Sequence, residues 1–253
     1  MLALQYFLKR IGVSIIVFFG VSIVIFCLAR LIPGDPARIA LGPFATTEMV
    51  EQLRETLHLN ESLFIQYKIF IVNLFHGDLG ISTYTKRPVL VDIIAYFPAT
   101  FELVLMSGTL MLLIGMPLGI LSGAYKDTIV DHIARIISLL GVVTPSFLWA
   151  IILMLLFSYL MPIFPVSERL NETLDPPKLI TGLLLIDSLI DGSLKIFGDA
   201  LYHLILPGLA IAMPAIGNVS RLTRTNLSDI YSKQYIEFAK SYAFSDFKIA
   251  TKY

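Results

Sequence analysis

Four long apolar runs dominate this 253-residue chain and limit the folds it can adopt. The runs at 11–29, 103–125 and 136–167 contain no charged residue, and a fourth at 200–220 contains two prolines. A hydrocarbon core of about 30 Å needs about 20 apolar residues in a helix, because lipid offers backbone groups no hydrogen-bond partner. The sequence therefore predicts an all-α polytopic membrane protein. In chain order, the predicted spans are about 11–32, 100–124, 134–161 and 200–222.

The basic residues near the spans orient the chain. Lysine and arginine are enriched in cytoplasmic loops, and Lys9 and Arg10 precede the first span. Further basic residues flank the turn between the second and third spans. Others follow the apolar run at 200–220: Arg221, Arg224, Lys233, Lys240, Lys248 and Lys252. The connection at 162–199 carries three basic residues against six acidic ones. This bias predicts a cytoplasmic N-terminus, with segments 33–98 and 162–199 outside the cytoplasm.

Composition and motifs exclude most catalytic functions. The sequence contains no Walker-type phosphate loop, no GxSxG elbow and no HExxH pair. Its single cysteine, Cys27, cannot form an intrachain disulfide. A net charge of zero gives no general attraction to nucleic acid. The histidines lack metal-ligand spacing: His58, His76, His132 and His203. We therefore expect no catalytic residue, metal or cofactor, and any ATP used must be bound by another chain.

The two predicted external segments have structure of their own. Thr46 and Thr47 are N-cap candidates for a helix carrying one apolar stripe. The stretch HGDLGIS at 76–82 predicts a glycine-bounded turn. We interpret 33–98 as a small helical cap, with a surface that receives a delivered solute as the alternative. The apolar segment 179–198 contains three charges, which favours an interfacial helix over a span.

Polar and small residues within the spans suggest two kinds of contact. Gly115 and Gly119, with Gly108 and Ser122 close to the same face, predict close helix packing. Glu102 lies at the outer edge of its span, where a charge is inexpensive, and no charged relay is expected. Four polar side chains are candidates for lining a translocation pathway: Thr144, Ser146, His203 and Asn218. Because His203 and Asn218 lie near the ends of their span, packing is the alternative interpretation.

The last twenty residues, 234–253, are polar and amphipathic. Tyr235, Phe238, Ala239 and Tyr242 stand at i, i+3, i+4 and i+7, which predicts a short helix. Ser245 and Asp246 can cap a second one. Such helices fit a groove in a protein or a lipid surface, and spacing does not separate the two.

This tail resembles the EAA loop of binding-protein-dependent ABC-importer permeases, whose pattern is Glu-Ala-Ala-x-x-x-Gly. Glu237 and Ala239 match that pattern, whereas Phe238 and Ala243 replace an alanine and the glycine. The chain is also similar to the dipeptide/oligopeptide class through seven motifs in that class's order. They are PGDPA (33–37), GDLGIS (77–82), RPV (87–89), PATFELV (98–104), GMPLG (115–119), VTPSF (143–147) and HLILP (203–207).

The resemblance implies a type I ABC-importer transmembrane domain in a prokaryotic inner membrane. It implies that the loop at 229–253 couples to a cytoplasmic ATPase through Glu237, Phe238, Ala239, Lys240, Ala243 and Ser245. The implied partners are a second permease subunit, two ATPase subunits and an extracytoplasmic solute-binding protein. The family's last two spans would follow the loop. The class transports peptides, nickel chelates or oligosaccharides, and the competing hypotheses are an intramembrane enzyme and a passive channel.

Overall fold

The computed structural model describes residues 2–31, 34–82, 84–231, 233 and 236. In these ranges all regular elements are helical apart from an isolated bridge between Ile81 and Pro88, which confirms the all-α class. The chain forms two compact units, Met1–Ala95 and Tyr96–Tyr253. The helices are α1 (Leu2–Leu31), α2 (Pro36–Leu41), α3 (Thr47–Thr56), α4 (Leu63–Phe75), α5 (Val89–Ala124), α6 (Ile129–Val143), α7 (Ser146–Met154), α8 (Leu184–Ile190) and α9 (Leu194–Tyr231). A π-helical segment, Leu155–Leu160, continues α7.

Three helices in the described ranges are long and apolar enough to cross a bilayer. They are Leu4–Leu28 within α1, Val89–Ala124 and Leu194–Tyr231. A fourth crossing is present if α6 and the helix Ser146–Leu160 form one broken span, since these two meet at 110°. The predicted span 134–161 is therefore not a straight helix. Pro145 lacks a backbone N–H and disfavours helical geometry in the preceding residue, and Thr144 is extended (φ −84°, ψ 123°).

In the first unit, one end of α1 packs against α4. Ser22 Oγ lies 2.8 Å from Tyr67 Oη, and the Phe26 ring lies 5.4 Å and 5.9 Å from the rings of Tyr67 and Phe70. Elsewhere the large apolar side chains of α1 are mostly exposed, Ile16 by 72%. Exposed apolar side chains suit contact with hydrocarbon. The helix also hydrogen-bonds its own backbone polar groups, which lipid cannot do.

In the segment predicted to form a small helical cap, 33–98, the helix α3 begins at the expected residue. Thr46 is the N-cap of α3, and its hydroxyl accepts a hydrogen bond from Met49 N at 3.3 Å. Asp35 caps α2 and also accepts a hydrogen bond from Arg54 Nε of α3 at 3.2 Å. Although burial raises the pKa of Asp35, these hydrogen bonds leave that pKa below its ordinary value. Caps and one ion pair thus hold the short helices together.

Two other external features have different outcomes. The predicted turn at 76–82 is confirmed, because Gly77 and Gly80 adopt φ values of 81° and 76° that favour glycine. The segment 179–198, predicted to form an interfacial helix, is not one continuous helix. The chain there forms α8 and the start of α9, interrupted at Gly192 with φ 74°.

In the second unit, α9 is the helix around which the others pack. It contacts α6, α7 and α8. Leu153 of α7 and Leu206 and Ala210 of α9 form a buried apolar cluster. Partly buried side chains surround that cluster: Trp149, Phe157, Phe164 and Leu209. A movement of α9 would therefore disturb three neighbouring helices at once.

Candidate functional site

A stripe of glycines lets α5 approach α9 closely. A Cβ at Gly119 would lie 2.6 Å from Ser220 O of α9, and one at Gly115 would lie 3.1 Å from another α9 carbonyl. Gly123 extends the stripe by one turn. The predicted small face at Gly115 and Gly119 is therefore confirmed. Gly108 lies outside the contact, because a Cβ there would meet nothing within 4 Å.

A second close approach joins α6 to α9. A Cβ at Gly141 would lie 2.7 Å from Met213 O, and a Cβ at Gly217 would collide with Ser138 O. Ser138 Oγ lies 2.9 Å from Ser220 Oγ, so a polar contact accompanies the tight packing. Small residues at such crossings let helix backbones come within van der Waals contact.

At one end of these crossings, a carboxylate is buried among the three helices. Asp131, in the first turn of α6, is 0% exposed. Its Oδ1 accepts hydrogen bonds from Arg224 Nε at 2.7 Å and Ser122 Oγ at 2.6 Å. Its Oδ2 accepts hydrogen bonds from Arg224 Nη2 at 2.8 Å and Asp127 N at 3.0 Å. We call Ser122, Asp131 and Arg224 the junction cluster.

The junction cluster is suited to holding helices rather than to catalysis. A two-pronged guanidinium–carboxylate pair has a fixed planar geometry. Removing one partner of a buried pair leaves an uncompensated charge, at a cost of about 3–5 kcal/mol. Because its members come from α5, α6 and α9, the cluster fixes the positions of these helices relative to one another.

The sequence analysis did not identify this cluster, whose charged members Asp131 and Arg224 lie just outside the predicted spans 134–161 and 200–222. Asp131 and Arg135 stand at i,i+4, and Arg135 Nε does lie 3.6 Å from Asp131. The main partner, Arg224, is 93 positions away. Such a contact depends on the register of α9 against α6. The available signal was Asp131 itself, the single acidic residue between 129 and 143.

The interpretation of Glu102 as an inexpensive edge charge also needs correction. Glu102 is only 5% exposed. One of its carboxylate oxygens accepts a hydrogen bond from Leu185 N at 2.7 Å, and the other pairs with Arg169. This acid therefore fastens both ends of a loop to α5.

Asp187 organises the same loop from within. Its carboxylate accepts hydrogen bonds from the backbone N–H groups of Ile180, Thr181 and Gly182, and from the Thr181 hydroxyl, at 2.7–3.2 Å. Burial raises the pKa of Asp187, but these donors outweigh it and hold that pKa below its ordinary value. We call Glu102, Asp187 and the segment 169–187 the loop clamp.

The four polar residues predicted to line a pathway lie at separate places. Thr144 ends α6 and Ser146 begins α7, on the two sides of the bend. His203 and Asn218 lie on α9, about 22 Å apart along its axis at 1.5 Å per residue. His203 Nδ1 lies 2.8 Å from Asp199 O, and the ring borders a cavity of about 310 Å³ that Glu168 also lines. Asn218 is exposed.

The predicted coupling residues Glu237, Phe238, Ala239, Lys240, Ala243 and Ser245 lie outside the described residues. In the described part of the chain, no group of three or more His, Cys, Asp or Glu side chains is placed to hold a metal ion.

Two family models match the sequence over nearly its whole length. The family described as "Binding-protein-dependent transport system inner membrane component" matches residues 115–253. Its companion, "Binding-prot-dependent transport system membrane comp, N-term", matches residues 3–104. The N-terminal match ends and the other begins within α5, with residues 105–114 between them.

Similar proteins agree with these models. The probable D,D-dipeptide transport system permease protein DdpB of Escherichia coli K12 is 41% identical over 90% of this chain and 67% of its own length. The dipeptide transport system permease protein DppB of the same strain is 33% identical over 94% of this chain and 71% of its own length. The di/tripeptide transport system permease protein DppB of Pseudomonas aeruginosa is 33% identical over 97% of this chain and 73% of its own length.

These relatives are transport permeases rather than enzymes, and their similarity extends across both units of the chain. The chain therefore belongs to the family of inner membrane components of binding-protein-dependent transport systems.

Proposed function

We propose that this chain is the permease subunit of an ATP-driven importer of peptides or related solutes. The observation that carries the proposal is the family membership over 115–253, together with relatives named for dipeptide transport. The chain supplies membrane helices and a coupling segment. ATP is hydrolysed by a partner chain.

Its assembly follows from that role. A second homologous permease completes the translocation pathway, two ATPase subunits bind on the cytoplasmic side, and a solute-binding protein delivers the solute from outside. The pathway is proposed to include Thr144, Ser146, His203 and Asn218. Of these four, only His203 has direct support, because the cavity beside it combines an imidazole with the Glu168 carboxylate, groups that recognise charged peptide ends.

Coupling is proposed to run through residues 229–253 into α9. That helix is continuous from Leu194 to Tyr231 and leads directly into the segment. The ion pair of Arg224 with Asp131 ties the same end of α9 to α6. A force applied beyond Tyr231 would therefore move α5, α6 and α9 together rather than bend α9 alone.

Uptake of a labelled dipeptide tests the function and the coupling together. In cells that lack the endogenous transporter but carry the complete complex, we expect uptake that unlabelled dipeptide suppresses. Glu237→Ala should lower uptake without lowering the amount of protein in the membrane. Glu55→Ala, at an exposed carboxylate of α3, is the matched control. Normal uptake by Glu237→Ala would refute the coupling role. Suppression by a nickel chelate or an oligosaccharide, and not by peptides, would refute the solute class.

The proposed orientation, with a cytoplasmic N-terminus, has its own test. Single cysteines at Glu48 and Asp191 in a Cys27→Ser background should react with an impermeant thiol reagent on intact cells. A cysteine at Lys126 should react only after lysis. All three positions are exposed, so accessibility depends on the side of the membrane. The reverse pattern would overturn the orientation.

A further inference from the structure

A second cavity, of about 270 Å³, lies between α6 and α9 beside the junction cluster. Three arginines line it: Arg135, Arg221 and Arg224. Ser122, Ser138, Ser220 and Thr225 also line it. Among the described lining residues, none is acidic. The nearest carboxylate, Asp131, is buried behind the wall.

The positive charge of this wall exceeds what Asp131 neutralises. Arg224 occupies both oxygens of that carboxylate, and Ser122 and the Asp127 N–H take further positions on them. Arg135 reaches it only at 3.6 Å. Arg221 Nη2 donates to the uncharged Asn218 Oδ1 at 3.2 Å. Two guanidinium groups at the cavity therefore keep donors for an anion.

Beyond Arg135, the lining of the cavity along α6 is apolar and partly exposed. Leu139 is 63% exposed, and Val142 lines the cavity beside it. Val143 of α6 and Leu222 of α9, which do not line the cavity, are also exposed apolar side chains. Because α9 is long and apolar enough to span a bilayer, this surface is suited to hydrocarbon. An anionic head over an apolar tail would match the whole site.

We propose that the cavity binds one anionic phospholipid, with its phosphate on Arg135 and Arg221 and its acyl chain along Leu139 and Val142. Basic pockets between membrane helices favour anionic head groups, and the planar guanidinium fork matches phosphate oxygens. The lipid would fill the gap between α6 and α9 next to the Asp131–Arg224 pair. It would thus reinforce the region of α9 that precedes the coupling segment.

Native mass spectrometry of the purified transporter complex tests the proposal. The complex is titrated with phosphatidylglycerol or with phosphatidylcholine of the same acyl chains, and retained lipids are counted. We expect one phosphatidylglycerol site of clearly higher affinity. Arg135→Gln/Arg221→Gln should weaken that site by about 20- to 30-fold, since each basic residue contributes roughly a fivefold preference. The double variant leaves the Asp131–Arg224 pair intact.

Arg38→Gln is the matched control, because it removes an exposed arginine of α2 in the other unit. It should leave the phosphatidylglycerol site unchanged. Should the double variant fail to purify, Arg221→Gln alone is expected to weaken binding by about fivefold. Equal retention of both lipids, or unchanged retention by the arginine variants, would overturn the proposal.

Two soluble probes identify the source of the anion. Glycerophosphoglycerol and inorganic phosphate, at the same concentration as the lipid, should fail to displace it, because they lack the chain that contacts Leu139 and Val142. Displacement by either probe would mean an anion site without a lipid. Release of the second permease subunit by the arginine variants, with lipid retention unchanged, would mean a protein interface. Either result overturns the lipid assignment.

Discussion

Asp131 and Asp187 are both buried in the second unit, at 0% and 2% exposure, yet they are held by different partners. Asp131 pairs with the guanidinium of Arg224, which lies on another helix and 93 positions away in the sequence. Asp187 accepts hydrogen bonds from backbone and hydroxyl groups no more than seven positions away. The first arrangement ties helices together, whereas the second shapes one loop.

The two sites should respond differently when the negative charge is removed. At Asp131, the Arg224 guanidinium, only 21% exposed, would lose its charged partner, which is the expensive case. At Asp187, only neutral donors would lose their acceptor, and water can reach a loop more readily than a helix crossing. The comparison therefore predicts a global effect at the junction cluster and a local one at the loop clamp.

The largest expected effect is that of Asp131→Asn. The amide cannot neutralise Arg224, so we expect a loss of about 3–5 kcal/mol in the free energy of unfolding. Thermal unfolding of the purified protein in detergent should show a clear drop in Tm, and dipeptide uptake should fall with it. An unchanged Tm would mean that the pair contributes nothing to the junction.

A double-mutant cycle separates the pair from its surroundings. Asp131→Asn combined with Arg224→Gln removes both charges, so the double variant should lose less stability than the two single losses added. Additive losses would mean that the two side chains act independently. That result would contradict the bidentate geometry.

The next effect concerns the glycine stripe that supports the same junction. Gly119→Ala places a Cβ 2.6 Å from Ser220 O, a backbone atom of α9. Overpacking of this kind costs about 1–3 kcal/mol. Gly108→Ala, on the same helix with open space around it, should be neutral or slightly stabilising. Equal Tm values for the two variants would show that α5 and α9 are not in close contact.

The same contrast explains what the sequence could and could not predict. Local patterns were sufficient to predict the helical class, the N-cap at Thr46 and the turn at 76–82. They also predicted the close helix packing at Gly115 and Gly119. Each depends on residues within a few positions of one another. The Asp131–Arg224 pair depends on how two distant helices align, and no spacing in the sequence encodes that alignment.

In two intermediate cases the sequence predicted part of the structure, and the remainder has a physical reason. The run at 136–167 is uniformly apolar, so hydropathy predicted one span at about 134–161 but could not give the 110° angle at which its two helices meet beside Pro145. The charges at 179–198 predicted an interfacial helix, but Asp187 turns inward because its own loop supplies N–H donors. A hydropathy scale treats every charged side chain as exposed. It takes no account of nearby hydrogen-bond donors that permit a carboxylate to be buried.

A smaller effect is expected from Asp187→Asn. The amide group would direct N–H donors at the N–H groups of Ile180, Thr181 or Gly182, so part of the loop clamp should open. Hydrogen exchange at 176–191 should become about tenfold faster. This is the factor expected from the loss of roughly one to two hydrogen bonds. Exchange in α6 and α9 should stay unchanged. Faster exchange throughout the second unit would mean that the loop clamp and the junction are one cooperative structure.

The smallest effect is a dependence of the loop clamp on pH. The pKa of Asp187 in the folded protein is lowered below its unfolded value of about 3.9, because four donors stabilise the ionised form. Its contribution is therefore complete above that unfolded value and is lost only as the pH falls through the folded pKa. Between pH 7 and about 5, exchange at Ile180, Thr181 and Gly182, corrected for the intrinsic rate, should stay constant. Below about pH 4 it should rise in the wild type but not in Asp187→Asn, which has no proton to gain there. A rise between pH 7 and 5 in the wild type would assign the loop's stability to another group and would remove Asp187 from the comparison with Asp131.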